Sequence, residues 1–156
     1  MSEGVLPAPA YEAGQYVICR SGGVWRVSES DVGTVLLVEH ESGAEKTLPA
    51  GSEEIVRAIA SRETILEAIE RVAYIRTIEA PNAKARMRLY DEAMRKYDEI
   101  EWIKIIKTVY LRQREKRLMP NEIAYAGKAK GYFHGEISVL LEMPLQKVEQ
   151  HIGSVI

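Results

Sequence analysis

Residues 12–30, EAGQYVICRSGGVWRVSES, decide the fold class. After Gly14, QYVICR alternates along a strand, with Tyr16 and Ile18 on one face and Val17 and Cys19 on the other. Ser21-Gly22-Gly23 supplies the positive φ angles of a tight turn. VWRVSE then returns as a second strand with Trp25 and Val27 sharing a face, and Trp25 is expected in the core. Working outward, TVLLVEH (34–40) and AEKTLP (44–49) read as two further strands joined through Glu41-Ser42-Gly43. Four short antiparallel strands with glycine turns predict a small Tudor- or SH3-like barrel. Ahead of it, residues 1–10, with Pro7 and Pro9, read as a flexible lead-in.

Pro49 and Gly51 close the β unit, and a short helical turn is expected at 53–60. The period then changes. Ser61 and Thr64 start a helical stripe of Ile65, Leu66, Ile69 and Val72, and Pro81-Asn82 opens another with Met87, Tyr90 and Met94. In EWIKIIKTVYLRQREKRL (101–118), Trp102, Ile103, Ile106, Val109 and Tyr110 form one apolar face, and Trp102 is assigned to the core. Pro120 begins a helix whose expected buried side is Ile123, Ala126, Ala129, Phe133, Ile137, Leu140 and Leu141. Pro144 begins a short terminal helix carrying Leu145, Val148 and Ile152. The expected class is therefore α+β: a small N-terminal Tudor/SH3-like antiparallel β-barrel over 11–52, followed by an all-α helical domain over 53–156.

Composition narrows the possibilities. In 156 residues, 46% apolar and 28% charged content excludes wholesale disorder. The apolar runs fall far short of the roughly 20 residues that span a bilayer. Glu3 stands where an export signal would be basic, and one cysteine, Cys19, suits a reducing compartment, so a cytoplasmic location is expected. The net charge of −2 hides an asymmetry: residues 1–62 hold five bases and nine acids, whereas 84–130 hold thirteen bases and seven acids. An acidic front and a basic middle point to two different partners.

An enzyme needs a site, and the residue patterns supply none. His40, His134 and His151 lie far apart without ligand spacing. Cys19 sits inside a strand beside a turn, where a buried thiol is expected, and no phosphate-binding glycine loop of the P-loop type occurs. The acidic pairs Asp98-Glu99 and Glu53-Glu54 fall where helix starts are expected and need no catalytic role. No catalytic residue, cofactor or metal is assigned.

The chain does resemble a family. AGQYVICRSGGVWRV (13–27) is similar to the N-terminal signature of the CarD/CdnL transcription regulators, a module shared with the transcription-repair coupling factor. LPAGSEEIVRAIASRETILEAIERV (48–72), EWIKIIKTVYLRQREKRLMPNEIAYAGKAKGYFHGEISVLL (101–141) and EMPLQKVEQHI (142–152) resemble the family's helical domain in order. The resemblance implies a non-enzymatic, monomeric regulator whose barrel docks on the β subunit of bacterial RNA polymerase by strand addition. The expected edge is VLLVEH with EKTLP, carrying Val35, Leu37, Lys46 and Thr47. The resemblance also implies that the helical domain lies on promoter DNA at the upstream edge of the melted bubble. Lys84, Arg86, Arg88, Lys104, Lys107 and Arg114 are then the candidate phosphate contacts. Two departures stand out. Many members have a histidine-glycine turn where this chain has Cys19-Arg20-Ser21-Gly22-Gly23, and many carry a wedge tryptophan where it has Ala83. An adaptor without productive DNA contact and a small enzyme with an unrecognised site are the alternatives.

Overall fold

The computed structural model describes residues 11–156; the expected lead-in over 1–10 lies outside the described residues. The chain folds as two compact units, one ending at Ile59 and the other spanning Ala60–Ile156.

The first unit is a five-stranded antiparallel sheet: β1 (Tyr16–Cys19), β2 (Val24–Ser30), β3 (Thr34–Glu39), β4 (Glu45–Pro49) and β5 (Ile55–Ala58), in the order β4-β3-β2-β1-β5. Gly22 and Gly23 turn β1 into β2 at φ of 129° and 83°, a region closed to most L-residues. A Cβ on Gly23 would also lie 2.8 Å from Glu39 Oε2, so the carboxylate would have to swing aside. Trp25 fastens the same turn, its Nε1–H donating to the Gly22 carbonyl at 2.8 Å. Val17, Cys19, Trp25, Val27, Val35, Leu37 and Ile55 form one core cluster, with Leu48 and Tyr11 packed against it. The alternation expected for the first two strands is thus the one observed.

Two expectations change here. Residues 55–58 are not a helical turn but the fifth strand, paired to β1 with Val17 opposite Ala58. Gly51, at φ 79°, turns the chain after β4, and the β-branched pair Ile55-Val56 suits a pleated strand. The sheet is open rather than hydrogen-bonded into a closed barrel, since β4 and β5 are its two edges.

The second unit holds α1 (Arg62–Arg71), a 3-10 turn (Val72–Tyr74), α2 (Ala83–Met94), α3 (Glu99–Arg114), α4 (Pro120–Leu141) and α5 (Leu145–Val155). Side chains in the sequence mark these starts. Ser61 Oγ accepts from the Thr64 N–H, Asn82 Oδ1 from Ala85 and Asp98 Oδ1 from Ile100, and Pro120 opens α4. Trp102 is fully buried and stacks on Tyr132 at 4.9 Å between ring centroids. Ile123, expected on the buried side of α4, is 59% exposed, while its neighbour Glu122 is fully buried. The reversal has an electrostatic cause. Glu122 accepts from Arg112 Nε at 2.7 Å, from the Tyr90 hydroxyl at 2.9 Å and from the Met119 N–H at 2.7 Å. Burial alone would raise its carboxyl pKa, but these donors together hold it below the usual range.

Candidate docking edge and nucleic-acid interface

Sheet order places the expected docking residues differently from one another. β3 is paired on both sides, and Val35 and Leu37 lie in the core cluster, so neither offers an edge or an accessible side chain. The exposed edge on this side of the sheet is β4 alone. Its hydrogen-bonding phase is fixed by the Glu39 N–H bonded to the Ala44 carbonyl at 2.8 Å and the Ala50 N–H bonded to Gly33 at 3.0 Å. Because ladder bonds alternate, Lys46 and Leu48, opposite Leu37 and Val35, bond to β3. Glu45 and Thr47 therefore direct N–H and C=O to the open side, where no strand among the described residues pairs with them. Pro49 bounds this stretch and has no N–H to offer.

Lys46 is committed inside the unit. Its ammonium lies 3.0 Å from Glu54 Oε2, 3.3 Å from Ser21 Oγ and 4.1 Å from the centroid of the Trp25 ring. This gives Lys46 a structural role, a lid over Trp25 that ties β4 to the segment before β5. Glu54 completes the link by accepting from the Ser21 N–H at 2.9 Å. Beneath the lid, burial pushes the Cys19 thiol up to about 11, with Lys46 pulling only partly back, so the thiol stays protonated at neutral pH.

The six candidate DNA contacts do not form one patch. At about 100° per residue, Lys84 and Arg88 share one face of α2, while Arg86 points roughly opposite. Lys84 and Arg88 are exposed and make no ion pair among the described residues. Arg95, one further heptad step along, is exposed on the same stripe and was not among the expected contacts. Its spacing of seven from Arg88 is the signal that would have found it.

Arg86 instead lines a cleft of about 260 Å³ with Arg112, Arg117, Glu79 and Glu115. That convergence comes from tertiary packing and leaves no local trace in the sequence. Lys104 is engaged with Glu101 at 3.2 Å. Lys107 turns inward, donating to the Val72 and Ile75 carbonyls at 2.7 Å each, and burial lowers its pKa. It secures the end of the 3-10 turn with two of its three N–H donors. Arg114 is exposed at the C-terminal end of α3, its guanidinium 5.9 Å from the Tyr110 ring centroid.

What remains can perform two operations. An unpaired strand edge can accept another strand, and the Lys84–Arg88–Arg95 stripe can meet a phosphate backbone without reading bases. No family model matches the chain, and no curated protein matches it.

Proposed function

We propose that this chain is a CarD/CdnL-type transcription regulator that docks on the RNA polymerase β subunit through β4 and rests the exposed face of α2 on promoter DNA. The observation that carries the reading is the β4 edge, where the backbone of Thr47 faces outward with no partner strand among the described residues. The Lys46–Glu54 ion pair and the single core shared by β1, β2, β3 and β5 favour a Tudor-like curl of the sheet. Such a unit presents a strand by shape and backbone bonding. The expected location is cytoplasmic, the partners are the polymerase and promoter DNA, and no catalytic step is involved.

A second reading, an adaptor without DNA contact, draws on Lys104 and Lys107 being engaged within the helical unit. Co-purification of the full chain with core polymerase tests the docking. Thr47→Pro removes one outward donor and leaves the β3–β4 ladder intact, since proline is tolerated at such an edge position. Losing one or two backbone bonds of about 1 kcal/mol each should weaken polymerase binding on the order of tenfold. Undiminished binding by this variant would remove the β4 assignment. Lys84→Ala with Arg88→Ala should keep polymerase binding and shorten the promoter-complex lifetime; an unchanged lifetime selects the adaptor.

A further inference from the structure

The cleft of about 260 Å³ that takes in Arg86 lies between residues 77–80 and the C-terminal end of α3. Arg86 points roughly opposite Lys84 and Arg88 on α2, so the cleft is separate from the proposed DNA-facing stripe. Arg112, in its wall, donates from Nε to Glu122 at 2.7 Å and from Nη2 to the Arg117 carbonyl at 2.8 Å, which uses two of the five N–H donors of a guanidinium. The other charges of the wall are uncommitted. Among the described residues, the side chains of Arg86, Arg117, Glu79 and Glu115 make no hydrogen bond and no ion pair, although unlike charges line one shared space. Ile78 and Leu111 add an apolar patch, and Leu111 is 40% exposed.

A fixed frame keeps these charges apart. The Ile78 N–H donates to Thr108 Oγ1 at 2.7 Å and holds residues 77–80 against α3, while Arg112 ties down the turn that carries Arg117. Arg86 and Arg112 share one electrostatic neighbourhood. Burial and the Glu122 carboxylate raise the pKa of the Tyr90 hydroxyl, and both guanidinium charges pull it back. A simple anion would meet the guanidiniums and be repelled by two carboxylates, and a simple cation would meet the reverse. A continuous phosphate backbone is disfavoured on the same ground. A molecule with both charges close together satisfies both sets.

We infer that this cleft binds a free amino-acid zwitterion with an aliphatic side chain. Arg86, with the spare donors of Arg112, receives the carboxylate, Glu79 and Glu115 receive the ammonium, and the side chain rests on Ile78 and Leu111. A guanidinium fork matches a carboxylate in geometry as well as charge. The volume lies below the roughly 300 Å³ at which drug-sized pockets begin, which suits so small a body.

The probe is L-leucine, with two counterparts of the same aliphatic body: 4-methylpentanoate, which lacks the ammonium, and 3-methylbutylamine, which lacks the carboxylate. Each is titrated into the full chain at neutral pH while the amide NMR shifts of Ile78 and Leu111 are followed. Saturable shifts are expected with L-leucine. Each counterpart should bind on the order of tenfold more weakly, having lost one charge-assisted contact. Arg86→Gln should weaken L-leucine by a similar factor without weakening 3-methylbutylamine. Glu79→Gln with Glu115→Gln should weaken L-leucine without weakening 4-methylpentanoate. Both glutamates are exposed and unpaired, so this double variant should keep its Tm. Absence of saturable shifts with L-leucine, equal affinity for 4-methylpentanoate, or undiminished L-leucine binding in either variant would each overturn the assignment.

Discussion

His134 illustrates how one buried residue sets a property of the whole chain. Histidine ordinarily titrates near 6.5, and burial with the Lys130 charge pushes this one to about 4. Between those values the unfolded chain holds the extra proton and the folded chain does not. Stability therefore rises with pH across this window, is fully present above about 6.5, and is lost as pH falls. At 1.36 kcal/mol per unit, acidification from pH 7.5 to pH 5 should cost on the order of 2 kcal/mol through this residue alone. Denaturant unfolding at both pH values, compared with His134→Phe, isolates the effect. Equal pH sensitivity in the two proteins would mean that the folded imidazole is not held neutral. The sequence showed His134 only as a histidine without a ligand partner; its burial arises from α3 and α5 closing over α4.

At the scale of elements, α2, α3 and α4 are joined through one carboxylate. Glu122 on α4 receives Tyr90 from α2, Arg112 from α3 and the N–H of Met119 ahead of its own helix. Glu122→Ala leaves a mostly buried guanidinium and a buried hydroxyl without their acceptor. A loss of about 3–5 kcal/mol is expected, measurable by chemical denaturation. Glu122→Gln keeps an acceptor and should cost less; equal losses would mean that shape rather than charge holds the junction. Apolar periodicity could not reveal this arrangement, because it favoured Ile123 over the glutamate beside it. The helix starts were legible for a local reason, since Ser61, Asn82 and Asp98 each cap the first turn they precede and Pro120 opens its own. β5 was not, because four residues of mixed pattern carry no decisive period, and its pairing partner lies some forty positions earlier in β1. For the candidate site, charge located the α2 stripe, but only packing distinguishes exposed Lys84 and Arg88 from inward-turned Lys107.

For the whole molecule, the division at Ile59 puts the proposed docking edge and the proposed DNA-facing stripe in different units, and this makes tethering testable. Phosphate contacts by a few bases are weak, with non-specific dissociation constants on the order of 10⁻⁴ to 10⁻⁶ M, and salt reduces them further. A docked sheet unit would raise the local concentration of the helical unit beside the promoter, turning weak contact into occupancy. Ala83 offers the measurement. It is the first residue of α2, directly after the Asn82 cap, and it is partly exposed. A tryptophan there can stack on or wedge between bases at the bubble edge, worth roughly 1–3 kcal/mol per stacked base. Ala83→Trp should accordingly lengthen the open-complex lifetime on the order of tenfold. In a chain that also carries Thr47→Pro the gain should largely vanish at equal protein concentration, because the wedge no longer arrives with the polymerase. Raising the concentration of that double variant should restore part of the gain, as mass action requires of a weakened tether. A gain of the same size in both backgrounds would show that the helical unit reaches DNA without the sheet, and the two-unit mechanism would fail.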